Sequence, residues 1–389
     1  MLNFENTKIA FRLKSNIDLK RAYLLFKVIG SPWIVKIGKI LMLTALKLRI
    51  PVSFLVKKTI FKQFCGGETI EECVPTIKSL GSQGVGTILD YSVEGKTEEE
   101  DFDRTTQIIV QTIEKANIEN HIPFAVFKIT GISRFGLLEK ASQNKAQLST
   151  SEKQELEQIE SRILKICSAA HTLKVPVFID AEESWIQDII DTWAFEMMQR
   201  FNKTETIVFN TIQMYRHDRL AFLKKCATLA KINNLSYGVK LVRGAYMEKE
   251  RGRALAHSYD SPIQKNKVAT DRDYDLAQEF ILENIAHFSL VAGTHNELSS
   301  MKLSEVMQKN GIKKEDKRVY FAQLLGMSDH ISFNLSHEGY NVAKYVPFGP
   351  VKEVMPYLLR RADENTSVAG QTGRELGLIL DEKRRRKRA

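Results

Sequence analysis

An α/β chain, built as a (β/α)8 TIM-type barrel behind an N-terminal helical region, is the fold this sequence predicts. Three observations carry that expectation. From residue 84 onward, eight short β-rich runs alternate with helical stretches. Nearly every run ends in a polar or ionisable residue, as the mouth of a barrel requires. No Gly-x-Gly-x-x-Gly follows any run. The runner-up, a doubly wound open sheet with a dinucleotide crevice, therefore lacks its fingerprint. The expected boundaries are 1–83 for the helical region, 84–368 for the barrel and 369–389 for a basic C-terminal tail.

The helical region comes first. Residues 19–62 read as helices, with Ala22–Gly30 apolar on one side and Trp33–Leu43 following with lysines at 36 and 39. Apolar runs stop short of the roughly 18 residues that a membrane span needs. Basic, aromatic-bearing amphipathic helices suit a membrane interface and equally suit packing on the body, so both readings stay open. Phe64–Cys73 reads as a turn into a helix. Thr69 is its expected cap, with Glu71 and Glu72 at its positive end.

The strands follow as Val85–Tyr91, Phe124–Ile129, Val175–Asp180, Thr206–Gln213, Gly238–Val242, Phe288–Ala292, Arg318–Gln323 and Asn341–Val346. Helices are expected between them at 98–117, 151–172, 184–201, 216–232, 271–286, 298–310 and 329–337, with a last one at 351–364. The strand ends carry Asp90 with Glu94, Lys128, Asp180 with Glu182 and Glu183, Gln213 with Tyr215, Arg243, Thr294-His295-Asn296, Gln323 and Tyr345.

Some of these residues suggest chemistry. Lys240 and Arg243 lie close to Gly244, where backbone can approach a flat, phosphate-bearing cofactor; a strand ending in a solvated arginine is the plainer alternative. Lys128 sits in an apolar run, where a lysine can lose its proton and form a Schiff base. Pairing with the acids at 180 and 182 is the competing reading. Thr294-His295-Asn296 offers a base or a cofactor contact. No second histidine sits at ligand spacing, so no metal is expected. On the last helix Tyr357, Arg360, Arg361 and Glu364 are three or four residues apart and can share a face. Arginine forks grip a carboxylate at two points, so a net positive pocket for a small amino acid is one reading. A surface helix with an ion pair is the other.

Charge is uneven. Residues 1–62 hold thirteen Lys or Arg against two Asp or Glu, and Lys383–Arg388 adds six positives, although the whole chain is only +10. The excess is in the two ends. Such a tail can meet nucleic acid, anionic lipid or solvent. Four scattered cysteines form no CxxC pattern, which argues for a reducing compartment and no structural metal. A non-enzymatic adaptor would use the charged ends and leave the strand-end residues unexplained.

The segments FCGGETIEEC, ILDYSVEG, FKITGI, FIDAEES, KLVRGAYMEKER, AGTHNE, QLLGMSDHISF and YVPFGPVKEVMPYLLRRADENTSV resemble, in order and from about 61 to 368, the FAD-dependent proline dehydrogenases of the monofunctional eukaryotic-type branch. The resemblance implies oxidation of L-proline to pyrroline-5-carboxylate by hydride transfer to flavin N5. Electrons would then pass to a membrane quinone. It implies Lys128, Arg360 and Arg361 on the proline carboxylate, Glu364 beside the ring, and Leu324, Tyr345 and Tyr357 packing on the ring. It implies FAD contacts at Gln213, Lys240, Val242, Arg243, Gly244, Ala245, Tyr246, Thr270, Thr294, His295 and Asn296, with Asp180 beneath the site. Lys240 and Met247 depart from bacterial relatives, which carry arginine and tryptophan there. Tyr345, smaller in relatives that act on hydroxyproline, points to proline. The expected partners are L-proline, a quinone and a membrane surface touched peripherally, with no nucleic acid. The place is the mitochondrial inner membrane on its matrix side in a eukaryote, or the cytoplasmic face of the inner membrane in a bacterium.

Overall fold

A computed structural model describes residues 2–388 except 32, 39, 41–52, 94 and 368–370; side chains at 53, 55, 362–367, 371 and 372 also lie outside the description. Eight parallel strands close into a barrel in chain order. They are β1 Val85–Tyr91, β2 Phe124–Lys128, β3 Val177–Asp180, β4 Val208–Gln213, β5 Tyr237–Val242, β6 Phe288–Gly293, β7 Val319–Leu324 and β8 Val342–Phe348. The seam closes where β1 pairs with β8 from Val85↔Val342 to Tyr91↔Phe348.

Period-two alternation explains the interior. Ile88, Phe124, Val126, Phe178, Phe209, Val291, Ala322, Ala343 and Tyr345 form one buried cluster inside the barrel. Phe124 stacks on Phe178 at 4.6 Å and meets Phe209 and Tyr320 edge-on at 5.7 and 4.8 Å. Gly238 makes room for this plug: a Cβ there would lie 2.6 Å from the Phe209 ring. The lower barrel is therefore packed solid. Two residues further along the same inward faces come Asp90, Lys128, Asp180, Thr211 and Lys240, so the polar layer lies directly above the aromatic one.

The helices are α1 Thr7–Ala10, α2 Asn16–Ile29, α3 Ile70–Gly81, α4 Glu99–Ile118, α5 Phe135–Asn144, α6 Thr150–Leu173, α7 Ser184–Phe201, α8 Arg219–Asn233, α9 Met247–His257, α10 Lys267–Glu283, α11 Glu297–Lys309, α12 Asp329–His337, α13 Met355–Ser367 and α14 Gln371–Arg388. Thr69 caps α3 by accepting from the Glu72 N–H at 3.3 Å. Two helices, α5 and α9, exceed the expected pattern of one per strand. α9 is short of apolar residues and is held by ionic contacts instead. Glu250, fully buried, accepts from the Ser184 N–H and Oγ at 2.6 Å each.

Two elements depart from a regular barrel. α13, which follows β8, packs among the described residues against α2 and α14, while α3 lies on β1 and α12 on β8. The Met355, Tyr357 and Leu358 of α13, with Val354 just before it, join Ile29, Phe61, Phe64 and Met327 in a separate apolar cluster. The segment expected as a tail is helical over Gln371–Arg388 and packs on α1 and α2. Its Glu375, Leu378, Ile379 and Glu382 recur at helical spacing and are all buried. Glu382 is held by Arg385 and Arg386, so part of the basic run is spent inside the fold.

Candidate active site

At the mouth, strand ends contribute one layer of polar groups. Asp180 on β3 is paired with Lys240 on β5, and Lys240 Nζ also donates to Tyr345 Oη at 2.6 Å. Tyr345 Oη donates to Asp180 Oδ1 at 3.2 Å. The triad is buried, and burial together with the Asp180 charge pushes the Tyr345 phenol well up. Asp180 thus has a lysine partner, Lys240, that the sequence reading did not pair with it. The reason is inward alternation: Lys240 and Asp180 point into the bore from the two strands that flank β4, a relation that strand-by-strand reading does not contain.

Lys128 ends β2, half-buried, and bears electrostatically on Asp90 and Glu182. Asp90, held by Ser92 Oγ at 2.6 Å, has its carboxyl pushed up by burial. Glu182 accepts from the Thr130 N–H at 2.9 Å and from the Thr130 hydroxyl. Burial raises Glu182 to about 7, against the opposing pull of Thr130 and Lys128. Its folded pKa lies above the ordinary carboxylate value, so the folded state holds the proton more tightly than the unfolded one. Stability from this group is therefore present at low pH and is lost as pH rises through about 7. Glu182→Gln should remove that loss, so the stability difference between variant and wild type should shift by roughly 3 kcal/mol in the variant's favour from pH 5 to pH 8. Urea midpoints at the two pH values check it; a constant difference would mean that Glu182 titrates normally.

The exits of β4 and β5 are joined by backbone bonds from Met214 N–H to the Val242 carbonyl at 2.8 Å and from Tyr215 N–H to the Arg243 carbonyl at 2.7 Å. Gln213 spans the corner, donating to the Glu182 carbonyl at 2.7 Å and accepting from the Ala245 N–H at 3.3 Å. Gly244 has φ +137°, and a Cβ there would fall 2.5 Å from the Tyr215 ring. Only glycine fits this turn. Gly244 and Ala245 stay exposed, and Tyr246 follows half-buried.

Arg243 donates to Asp271 at 2.6 Å, Thr294 Oγ1 at 2.6 Å and Ser299 Oγ at 2.9 Å, and lies 4.3 Å over the Tyr274 ring. Asp271, Tyr274 and Ser299 were missed from the sequence; Asp271 adjoins Thr270, whose buried hydroxyl turns to the Asn266 carbonyl at 3.5 Å. Asn296 caps α11 by accepting from Leu298 and Ser299. His295 has its pKa lowered to about 3, first by burial and then by Lys344 and Arg361, so its imidazole is neutral. Gln323 is spent on the Thr294 carbonyl and on Ser332.

α13 covers this layer. Arg360 bears electrostatically on Tyr246 and Arg361 on His295, so the two arginines reach the exits of β5 and β6. Arg361 is buried and lies 5.1 Å over the Tyr357 ring. Leu324 closes β7 beside Tyr345. The side chains of Glu364 and Glu94 lie outside the described residues. The loop after Leu324 is held by Lys344, fully buried, which pairs with Asp329 at 2.9 Å and donates to the Met327 carbonyl at 2.7 Å.

The proline dehydrogenase family model matches residues 73–374. The chain belongs to the proline dehydrogenase family. It is therefore an oxidoreductase of that family. Among similar proteins, mitochondrial proline dehydrogenase 1 of Arabidopsis thaliana is 33% identical over 374 residues, covering 85% of this chain and 75% of that one. Hydroxyproline dehydrogenase of Xenopus laevis is 30% identical over 412 residues, covering 97% and 88%. The carbapenem biosynthesis protein CarD of Pectobacterium carotovorum is 32% identical over 328 residues, covering 83% of each. Proline utilization A of Bdellovibrio bacteriovorus, inactivated by N-propargylglycine, superposes with a TM-score of 0.72 at 20% identity. That match covers 94% of this chain and 37% of the larger one, and it speaks to the fold alone.

Proposed function

We propose that this proline dehydrogenase family member oxidises L-proline to pyrroline-5-carboxylate with FAD and hands the electrons to a membrane quinone. The observation that carries the reading is α13, whose arginine pair lies over the same mouth as Lys128, Tyr345 and the Gly244 turn. Arg360, Arg361 and Lys128 would hold the substrate carboxylate, with Glu364 beside the ring. Leu324, Tyr345 and Tyr357 would press the ring flat, and Asp180 with Lys240 would fix the Tyr345 phenol from below. Positioning of this kind can supply much of a barrier lowering. The lid helix would exclude water from the charged clamp and strengthen it.

The residues present fit FAD. Gly244 turns the chain so tightly against Tyr215 that a cradle of bare backbone is exposed over Gly244–Ala245. Among the described residues Arg243 uses three of its five N–H donors, and the others remain for phosphate oxygens. Gln213, Lys240, Val242, Tyr246, Thr270, Thr294, His295 and Asn296 would complete the cofactor site. Bound FAD would supply the hydride acceptor. The visible spectrum of the purified protein tests the class: flavin bands bleached by proline are expected, and a colourless protein that oxidises no proline would sink the reading. Family membership leaves no need for a Schiff base on Lys128.

Substrate preference rests on Tyr345. Its hydroxyl is spent on Asp180 and Lys240, so the ring offers no polar partner to a substrate hydroxyl. Tyr345→Ser should weaken proline oxidation and raise the relative rate with 4-hydroxyproline. An unchanged ratio of kcat/KM values would remove Tyr345 from the ring contact.

A peripheral membrane contact is supported by the outer face of α2 and the residues after it. No helix among the described residues is long and apolar enough to cross a membrane. Ile17, Leu24, Val28, Trp33 and Phe54 are exposed beside Lys20, Lys27 and Lys36. Such a face suits an anionic interface, on the matrix side of the inner membrane in a eukaryote or its cytoplasmic face in a bacterium. Co-sedimentation with anionic vesicles, weakened by salt, is the expected result, and no sedimentation at low salt would leave these helices as packing elements.

A further inference from the structure

α14 carries a cluster of charge that the proposed function does not use. Its first turn reaches two strand exits at once. Arg374 grips Glu297 with two parallel bonds, Nε to Oε1 at 2.8 Å and Nη2 to Oε2 at 3.1 Å, and grips Glu5 at 2.6 Å. Glu375, buried beside it, accepts the Ser328 N–H at 2.5 Å. Ser328 stands at φ +50°, a backbone conformation that non-glycine residues adopt only when their surroundings impose it. Ser328 Oγ lies 2.9 Å from His295 Nδ1.

These contacts bracket one short stretch. Glu297 is held directly, His295 through Ser328, and Asn296 between them caps the helix that presents Ser299 to Arg243. His330 Nε2 adds a further contact to Glu297 at 3.0 Å. The Ser328 contact commits Nδ1 of His295 to the protein and leaves Nε2 as the polar edge towards a ligand. Two-pronged arginine–carboxylate bonds and bonds to a buried carboxylate are strong and directional, so they fix orientation as well as distance.

We propose that Arg374 and Glu375 are positioning residues for the cofactor: the first turn of the C-terminal helix holds Thr294–Glu297 in the shape that binds FAD. Neither residue need touch the cofactor. The inference rests on the reading of Thr294, His295 and Asn296 as FAD contacts. It gives the basic C-terminal segment a task inside the enzyme.

The test uses full-length protein stripped of flavin: wild type, Glu375→Leu, Glu375→Gln, Arg374→Met and a packing control, Leu378→Ala. FAD affinity is read by fluorescence titration well below each Tm, and hydrogen exchange of residues 294–299 is read on the flavin-free protein. Losing these bonds should weaken FAD binding about tenfold in Glu375→Leu and in Arg374→Met. Exchange at 294–299 should rise in both. Glu375→Gln, which keeps an acceptor for Ser328, should restore most of the affinity. Leu378→Ala should lower the Tm and leave FAD affinity unchanged. Arg374 is partly exposed, so its variant keeps the test open should Glu375→Leu fail to fold. Equal weakening by Leu378→Ala would mean that the helix serves stability alone and would overturn the inference. Unchanged exchange and affinity in both clamp variants would do the same. Wild-type protein that takes up no FAD would overturn the cofactor reading itself, and this inference with it.

Discussion

Arg360→Met and Arg361→Met should each keep FAD and raise the KM for proline sharply. Removing one partner of a desolvated carboxylate clamp costs about 2–5 kcal/mol, a factor of roughly 30 or more in affinity. The Arg361 effect should be the larger, because Arg361 is buried against Tyr357 while Arg360 is half-buried. Both lie on a helix that shares its apolar side with Phe64 and Met327, so a methionine is accommodated without loss of the lid. Steady-state kinetics and a flavin absorbance ratio separate the two properties. Wild-type KM in both variants would remove the arginine pair from the substrate.

Asp180→Ala should have the largest effect on stability. The Lys240 ammonium is buried, and among the described residues it would keep one hydrogen-bond partner, the Tyr345 hydroxyl, with the Asp90 carboxyl in electrostatic reach. Breaking a buried ion pair from one side typically costs about 3–5 kcal/mol, because a charge remains without compensation. The double variant Asp180→Ala/Lys240→Met should recover much of that loss while activity stays low, since Tyr345 is then fixed by neither partner. Urea midpoints of the wild type, both single variants and the double variant form the cycle. An additive double variant would mean that the two charges do not interact in the folded protein.

The candidate site was legible in the sequence to an unequal degree. Strand-end residues were readable because parallel strands of a barrel carry their functional groups at one end, whatever lies between them. Lys128, Asp180, Gln213, Arg243 and Thr294 were found by that rule. Their supports were not. Thr130, Asp271 and Ser299 sit on ordinary-looking turns and helices and Lys344 within β8, and their partners are what mark them. The pairing of Asp180 with Lys240 spans 60 residues. No local pattern distinguishes it from a pairing of Asp180 with Lys128. Arg374 and Glu375 were hidden in a segment that charge counting had assigned to a tail, since a run of basic residues masks four buried positions at helical spacing.

The sequence by itself determined the barrel, the order of its strands and the residue types at its mouth. Alternation of β-rich and helical runs is a local property, and closure follows once eight such units are present. What only the tertiary structure decided is where the two last helices go. α13 lies with α2 and the Phe64 segment, which brings Arg360 and Arg361 over the strand ends. α14 folds back on α1 and α2 and reaches Ser328 and Glu297. Helix periodicity states which face of each is apolar, but not which surface will cover it. That choice depends on apolar faces supplied by residues near the other end of the chain, and it exists only when the chain has brought its two ends together.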